Sequence, residues 1–196
     1  MLGRICTFLS MSEQSSAKEA GYKYLLTYQY SSVIYDFTAE FCARFLPGRE
    51  LMRQRDQMIQ AARSGKQNIV EGYELQSLET YIKFLGISKG SLKELQEDYS
   101  DFIRQRSFGL WEKNSLKMRD LRDLRVLREP FPHIPQFPHI PQDPELSANL
   151  VFMLCQRTTY LLDRQIEVLR EKFIKEGGFR ENLFKERIKY KNGKNT

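Results

Sequence analysis

Residues 78–106 carry the longest unbroken pattern in the sequence, and this pattern restricts the fold more than any other feature. Positions spaced alternately by three and four residues over four heptads are apolar, apart from one serine: Leu78, Tyr81, Leu85, Ser88, Leu92, Leu95, Tyr99 and Phe102. Such a repeat predicts a long α-helix that buries one seam against other helices. Ser77 precedes the helix as an N-cap, and Glu79 lies in its first turn, where negative charge is favoured.

Three further segments show helical periodicity. Residues 21–46 carry a stripe formed by Leu26, Tyr30, Val33, Phe37 and Phe41. Residues 50–75 carry Leu51, Met58, Ala62, Gly65, Ile69 and Gly72. Residues 144–175 carry Leu150, Leu154, Thr158, Leu161, Gln165 and Val168, with Leu162 and Leu169 adjacent. The sequence therefore predicts an all-α, antiparallel up-and-down four-helix bundle over residues 19–175, in which the second and third helices are neighbours.

An insertion, residues 109–143, separates the third and fourth predicted helices. Residues 112–129 have the spacing of a short amphipathic helix, with apolar and arginine-bearing sides. The hexapeptide FPHIPQ then occurs twice in tandem, at 131–136 and 137–142. Proline at every third position favours an extended linker, which we expect to be exposed and unpacked. A proline-rich docking peptide is the alternative interpretation.

The two ends of the chain are predicted to lie outside the bundle. Residues 1–18 are expected to form a disordered leader, and Met11 is an alternative start. Asp143 and Pro144 suit the beginning of the last long helix, and Gly177-Gly178 suits its end. Residues 176–196 then form a basic tail, with a further helical turn or two over 179–190 and a frayed end.

Glycine occurs inside two of the predicted helices, where it costs roughly 1 kcal/mol relative to alanine. Gly65 and Gly72 share the buried face of the second helix, and Gly86 and Gly90 form a small-residue strip on the third. We expect both sets to permit close contact between these helices, with a turn at Gly72-Tyr73. Asn68 and Glu71 would bond backbone groups freed near that turn, or form part of a binding surface. A phosphate-binding loop is excluded by the missing strand and the wrong spacing.

Positive charge is concentrated in two parts of the chain. The net charge is +6, and residues 104–128 hold eight Lys/Arg against three Asp/Glu, while residues 170–194 hold nine against four. The two segments therefore net +5 each and the remainder −4, a distribution that favours a polyanionic partner. The predicted phosphate contacts are Arg49, Arg53, Arg63 and Lys66 on the second helix and Arg119, Arg122 and Arg125 in the insertion.

Residues that could support an enzyme are few. Arg128 and His133 have the spacing of a helical-bundle ribonuclease pair, but two prolines between them prevent a regular helix. Glu71, Glu74 and Glu79 lack the histidine partner of a carboxylate metal site. We therefore predict a non-enzymatic protein without a cofactor or metal. A nuclease-like enzyme is the weaker alternative.

Two observations concern the location of the protein. Cys6, Cys42 and Cys155 match no zinc or redox spacing and are typical of reduced cytosolic thiols. No run of 18 apolar residues predicts a membrane-spanning helix. The expected location is the cytoplasm, and no membrane partner is expected.

Residues 56–96 resemble the four-helix-bundle family of the 23S rRNA intervening-sequence type, a group that includes the accessory variability protein of diversity-generating retroelements. The second-helix motif is matched by Asp56, Gln57, Ala61, Ala62, Ser64, Asn68, Ile69, Glu71 and Gly72. The third-helix motif is matched by Phe84, Leu85, Ile87, Gly90, Ser91, Leu92, Glu94 and Leu95. Gly65 departs from the usual apolar residue, and residues 111–142 have no counterpart in the minimal family. The C-terminal part resembles a longer branch with a four-helix-bundle suffix.

The resemblance implies a ring-like pentamer with a basic surface that binds RNA and a reverse transcriptase. Aromatic and apolar residues on more than one side of the first helix independently suggest an exposed interface: Tyr22, Tyr24, Tyr28, Tyr30, Ile34 and Tyr35. The leading hypothesis is an oligomeric, non-enzymatic RNA-binding accessory protein. The alternative is a protein–protein interaction scaffold whose positive charge only confers solubility.

Overall fold

In the computed structural model the described residues are 21–75, 77–112 and 139–193, and no strand occurs among them. A short 3₁₀ turn, Gly21–Tyr24, precedes the first α-helix. The α-helices are α1 (Leu26–Phe45), α2 (Met52–Glu74), α3 (Leu78–Gln105), α4 (Pro144–Glu176) and α5 (Phe179–Gly193). The predicted all-α bundle is confirmed.

Helices α1 to α4 form the four sides of the bundle. Each of α2 and α4 packs against both α1 and α3, so that α2 and α4 lie diagonally opposite each other. At one end, Arg106 Nη2 donates to the carbonyl oxygen of Phe45 (3.5 Å), and Arg44 Nη1 donates to those of Ile140 (3.0 Å) and Pro141 (2.9 Å). We call this the insertion end, because the chain leaves and re-enters the bundle there. The opposite end, where α2 connects to α3, is the tail end.

The core is built from the predicted seam of α3 and the stripe of α1. The heptad residues from Leu85 to Phe102 are buried. The ring of Phe41 packs edge-on against the rings of Tyr99 and Phe102, with centroid distances of 4.9 and 4.7 Å. Tyr99 is wholly buried, and its hydroxyl group donates a hydrogen bond to Thr38 Oγ1 (3.1 Å). This bond satisfies a polar group that would otherwise destabilise the core.

The predicted helix boundaries of α3 and α4 are confirmed by their caps. Ser77 Oγ accepts from the Thr80 amide (3.4 Å), and Asp143 Oδ1 accepts from the Leu146 amide (2.6 Å), with Pro144 in the first turn. Gly177 ends α4 with φ +79°, a conformation that favours glycine. The last turns of the chain differ from expectation, because α5 continues through Gly193 where fraying was predicted from residue 189.

The predicted inner face of α4 is correct only in its first half. Leu150, Leu154 and Thr158 are buried, but Val168 is 63% exposed, and Leu162 and Ile166 are buried instead. The reason is that the buried stripe shifts around α4. Leu162, Ile166 and the partly buried Leu169 face the core, and Val168 lies on another side of the helix.

Only one of the two predicted glycine pairs brings α2 and α3 together. A Cβ atom on Gly65 would lie 2.7 Å from Leu92 Cδ2, and one on Gly72 would lie 2.8 Å from Phe84 Cβ. Around Gly86 and Gly90 no atom lies within 4 Å of such a Cβ, so their predicted packing role is wrong. The seam of α3 contains Ser88, and positions two residues from it point to a different face of a helix.

The aromatic residues at the start of α1 were predicted to form an exposed patch, and most of them do not. Tyr30 and Ile34 are buried. The ring of Tyr22 packs edge-on against the rings of Tyr28 and Tyr73, with centroid distances of 4.9 and 6.1 Å. These rings form an aromatic cluster at the tail end. Tyr35 and Tyr28 are half-buried, and Tyr24 remains 65% exposed.

The end of the proline repeat packs on the bundle, contrary to the prediction of an unpacked linker. Ile140 is only 2% exposed. Its amide donates to Glu40 Oε2 (3.1 Å), and Ser147 Oγ donates to the carbonyl oxygen of Pro141 (2.7 Å). An apolar side chain and two backbone groups therefore fix residues 140–141 on α1 and α4. The predicted leader 1–18, most of the predicted helix 112–129 and the first copy of the repeat lie outside the described residues.

Candidate nucleic-acid interface

Three of the four cations predicted on α2 are exposed. Arg49 lies in the connection from α1, Arg53 in the first turn of α2, and Arg63 near its middle. None of the three forms an ion pair with another residue in the described part of the chain. Arg49 and Arg63 are therefore available to an external anion.

Lys66 lies on a different side of α2 from Arg53. Its Nζ atom is 4.9 Å from the centre of the Tyr35 ring on α1, a cation–π distance. Burial raises the pKa of the neighbouring Asp36, and the charge of Lys66 partly opposes that rise. The predicted set of four cations thus does not form one patch, because Lys66 interacts with α1.

Arg53 lines an open groove between α2 and α3. The groove has a volume of about 620 Å³ and is bordered by Met52, Arg53, Asp56, Gln57, Gln60, Ala61 and Ser64 of α2 and by Ser91 and Glu94 of α3. Two carboxylates face one guanidinium group in this lining, so the groove as a whole does not favour a phosphate. We refer to it as the α2/α3 groove.

A chain of hydrogen bonds joins the two walls of the α2/α3 groove. Asn68 Nδ2 donates to the carbonyl oxygen (2.8 Å) and the hydroxyl oxygen (3.0 Å) of Ser64. The hydroxyl groups of Ser64 and Ser91 are 2.8 Å apart, and Ser91 Oγ donates to the carbonyl oxygen of Ile87 (3.2 Å). These donors and acceptors are mutually consistent, so the side chains of this wall are held in place before any partner binds.

The positions of Asn68 and Glu71 correct the sequence prediction for this region. α2 continues through Gly72-Tyr73 to Glu74, so the predicted turn at that dipeptide does not occur. Asn68 bonds the backbone of Ser64 one helical turn earlier, and Glu71 is exposed. Neither residue caps a turn.

Carboxylates of α3 continue the α2/α3 groove towards the insertion end. Glu94, Glu97, Asp98 and Asp101 follow one another on the side of α3 that faces outwards or towards α2. Burial, assisted by the negative charges of Glu94 and Asp101, raises the pKa of Asp98 to about 6. Like charges close together are unfavourable, so this face of the isolated chain would be stabilised by cations.

The net positive charge lies outside the bundle. Residues 21–75 hold seven Lys/Arg and six Asp/Glu. Residues 77–112 and residues 139–178 each hold five Lys/Arg and six Asp/Glu. The net charge of this described part of the bundle is therefore −1. Helix α5 holds five against two, a net of +3. The surplus in residues 170–194 is evident in the sequence, but none of the predicted phosphate contacts lies there.

Helix α5 carries its charge on one stripe. Positions spaced by three and four residues are cationic or apolar without exception: Arg180, Leu183, Phe184, Arg187, Ile188 and Lys191. The opposite side carries Glu181, Glu186, Lys185 and Lys189, whose charges sum to zero. No residue of α5 is buried. The signal that could have identified this stripe was the heptad-like spacing of Leu183, Phe184 and Ile188, which the glycine pair before it obscured.

Arg119, Arg122 and Arg125 lie outside the described residues. The chain on either side of them is attached at the insertion end. The Trp111 amide donates to Asn149 Oδ1 (2.8 Å), and Trp111 Nε1 donates to Glu145 Oε1 (2.7 Å). On the returning side, Ile140 is fixed by Glu40 and Arg44. The described chain therefore leaves and re-enters the bundle at the end at which Arg49 and Arg53 lie.

The described residues offer little for catalysis. Cys42 and Cys155 are buried free thiols, and burial raises the pKa of Cys42 to about 12 and that of Cys155 still further, which disfavours the nucleophilic thiolate. No group of three or more His, Cys, Asp or Glu residues in the described ranges could hold a metal ion. None of the described helices combines the length and apolar character needed to span a membrane.

Comparison with known proteins confirms the resemblance at the level of the family. Residues 23–115 match the family described as 23S rRNA-intervening sequence protein. The matched region contains α1, α2 and α3, and hence the whole α2/α3 groove, but neither α4 nor α5. The match does not extend to the retroelement accessory type. No curated protein and no solved structure matches this chain.

Proposed function

From the match of residues 23–115 to the 23S rRNA-intervening sequence protein family, we propose that this protein is a non-enzymatic, oligomeric RNA-binding protein of the cytoplasm. The family description names an rRNA insertion, which makes RNA the polyanion that the charge distribution of this chain fits best. The buried, unpaired thiols of Cys42 and Cys155 agree with a reducing compartment.

The observation that carries this proposal is that the chain on both sides of the second predicted cation set is fixed at the insertion end, where Arg49 and Arg53 lie. Arg49 and Arg53 lie where α1 connects to α2. The segment with Arg119, Arg122 and Arg125 begins after Trp111 and returns at Ile140, both of which are fixed at that same end. An RNA strand at the insertion end would contact both sets, and Arg63 would extend the contact along α2.

The expected mode of recognition is contact with phosphate groups. Exposed arginines on a helix and its connection provide charge without the aromatic platform that base stacking requires. Such binding depends on the release of counterions and weakens steeply as salt increases. In an oligomer, several insertion ends would act together and raise the affinity by multivalency. The resemblance is the support for a pentameric ring and for a reverse transcriptase as a protein partner.

The direct test replaces Arg119, Arg122 and Arg125 together by glutamate. RNA affinity at about 100 mM salt is expected to fall at least about tenfold, because three phosphate contacts become repulsive. The matched control replaces Arg170, Lys185 and Lys189 by glutamate, which changes the net charge equally but at the tail end. Equal losses in both variants would show that net charge, and not the insertion end, determines binding.

The second candidate function is an interaction scaffold without RNA binding. It is favoured by the preorganised α2/α3 groove and by the exposed apolar residues of α5. Absence of RNA binding at about 50 mM salt, where phosphate contacts are strong, would support the scaffold and overturn the RNA-binding proposal.

A further inference from the structure

Two surfaces of this chain remain without a partner in the described structure, and they have complementary chemistry. The α2/α3 groove has carboxylates on both walls, Asp56 on α2 and Glu94 on α3, and apolar contact surface at Met52, which is 54% exposed. Ile87, one turn before Ser91 on α3, adds an apolar side chain that is 44% exposed. A partner that suits this groove presents cations and apolar side chains together.

The α5 stripe has that composition. Leu183 is 48%, Phe184 63% and Ile188 41% exposed, and Arg180, Arg187 and Lys191 lie between them at helical spacing. Apolar side chains of this size are exposed at a cost in free energy that burial would remove. The absence of any acidic residue from the stripe excludes repulsion with Asp56 and Glu94.

The α5 of a chain cannot reach the groove of the same chain. Leu169 is the last residue of α4 that packs against the core, and the seven residues that follow carry the chain about 10 Å beyond that contact. α5 has 15 residues and is about 22 Å long, so on folding back it would extend only about 12 Å along the bundle. Ser64 is ten residues from Glu74 and thus about 15 Å from the tail end, and Met52 is further still.

We propose that the α2/α3 groove of one copy binds helix α5 of a second copy, through the stripe Arg180, Leu183, Phe184, Arg187, Ile188 and Lys191. This inference rests on the oligomeric part of the proposed function and names the surfaces that form the oligomer. The cations of the stripe pair with Asp56, Glu94 and the adjoining carboxylates of α3. Its apolar residues cover Met52 and Ile87.

The dimensions of the two surfaces agree. From Ile87 to Asp101, α3 rises about 21 Å, close to the 22 Å length of α5. The groove and α5 are different surfaces, so each copy uses its groove for one neighbour and its α5 for another. Such a head-to-tail contact closes into a ring when the rotation between copies allows it.

The carboxylates along α3 support the same arrangement. Burial, and to a lesser extent repulsion from Glu94 and Asp101, raises the pKa of Asp98. Cations from α5 would relieve that repulsion.

The first experiment separates the apolar contacts from charge. In the full-length protein, Leu183→Ser with Ile188→Ser leaves every charge in place and is expected to convert the oligomer to a monomer of 23.2 kDa in light scattering. The control is Lys185→Ser with Lys189→Ser on the opposite side of α5, which should leave the oligomer intact. An oligomer that persists in the first variant overturns the proposal.

The second experiment reverses charge on each surface and then on both. Asp56→Lys with Glu94→Lys, and separately Arg180→Glu with Arg187→Glu, are each expected to give monomers. The two pairs combined in one chain should restore the oligomer, a result that a folding defect cannot produce. Failure of the combined chain to associate, while circular dichroism shows all the variants to be folded, would overturn the assigned pairing.

RNA binding is measured on the same variants to distinguish this inference from the proposed function. The monomeric Leu183→Ser, Ile188→Ser variant should retain salt-dependent RNA binding through the insertion end, with the multivalent gain lost. If the charge reversal on α5 removed RNA binding and left the oligomer intact, the stripe would be an RNA contact and the groove assignment would be wrong. A wild-type chain that is monomeric at micromolar concentration would overturn the oligomer and this inference but not RNA binding.

Discussion

Ser88 on α3 donates a buried hydrogen bond to the carbonyl oxygen of Gly65 on α2, and the two oxygen atoms are 2.6 Å apart. A side chain of one helix reaches the backbone of the next only when the helices are close, and glycine permits that approach. The carbonyl oxygen already accepts within its helix, so this additional bond is possible because no Cβ atom covers it. The Gly65–Ser88 contact fixes the distance between the walls of the α2/α3 groove.

The first prediction is that Gly65→Ala destabilises the bundle by up to about 2 kcal/mol. The new Cβ atom would lie 2.7 Å from Leu92 Cδ2 and 2.9 Å from Leu92 Cγ, and Leu92 is fully buried, so Leu92 or the helices must shift. Overpacking of this kind costs about 1–3 kcal/mol, and the better helix propensity of alanine offsets roughly 1 kcal/mol of that cost. Urea unfolding measures the difference.

Gly90→Ala is the matched control, and its expected sign is opposite. A Cβ atom at Gly90 would meet no atom within 4 Å, so only the helix propensity changes and the bundle should become up to about 1 kcal/mol more stable. A loss of stability in the Gly90 variant, or a gain in the Gly65 variant, would contradict this assignment of the two glycines.

The contrast between these glycines shows what the sequence could and could not predict. The buried face of α3 was predicted correctly because every heptad position from Leu85 to Phe102 adds to one regular pattern. Gly86 and Gly90 were misplaced because a missing side chain carries no hydrophobic signal, and their face had to be inferred from Ser88. Val168 was misplaced because the spacing of the first half of α4 was continued, whereas the buried stripe shifts to Leu162, Ile166 and Leu169. The α2/α3 groove was not predicted, since its lining comes from two helices whose relative rotation only the fold defines.

The second prediction concerns the proline repeat. Ile140→Ala should destabilise the protein by about 2 kcal/mol, because it removes a buried side chain at the end of the bundle, where the surroundings can partly collapse. Deletion of residues 137–142 should be nearly neutral by contrast. The remaining copy, 131–136, has the same sequence and would directly precede Asp143, so that its isoleucine occupies the position of Ile140.

Thermal unfolding of both variants tests the second prediction. If the deletion destabilises the protein as much as Ile140→Ala, then stability depends on the length of the insertion and not only on the packing of residues 140–141. An unaffected Ile140→Ala variant would show that the hydrogen bonds of Arg44 and Glu40 alone hold this segment.

The third prediction is a pH-dependent gain in stability for Asp98→Asn. The pKa of Asp98 is about 6 in the folded chain, above its ordinary value of 3.8, so the folded state holds the proton more tightly than the unfolded state. Stability from this group is therefore fully present below pH 3.8 and is lost as the pH rises through 6. Asparagine cannot ionise, and at pH 8 it should add about 1 kcal/mol, allowing for partial exposure of the carboxyl group.

Urea unfolding at several pH values tests the Asp98 variant. Its advantage should disappear near pH 4, and Glu97→Gln, one residue away and exposed, is the control for the loss of one negative charge from α3. An advantage that is constant between pH 4 and 8 would mean that the side-chain amide stabilises the fold by hydrogen bonding and that the charge of Asp98 is not the cause.

The last prediction separates the cations of α2 by their surroundings. Arg49 and Arg63 are exposed and form no ion pair within the described ranges, whereas the ammonium group of Lys66 lies over the Tyr35 ring beside Asp36. Each cation that contacts a phosphate contributes about 0.7–0.9 to the slope of log affinity against log salt concentration. Arg49→Gln and Arg63→Gln should each lower the slope by about that amount, and Lys66→Gln should leave it unchanged. Fluorescence anisotropy with a single-stranded RNA between about 50 and 200 mM salt gives these slopes. A reduced slope for Lys66→Gln, with no change for the arginine variants, would place the RNA on the α1 side of α2 and away from the insertion end.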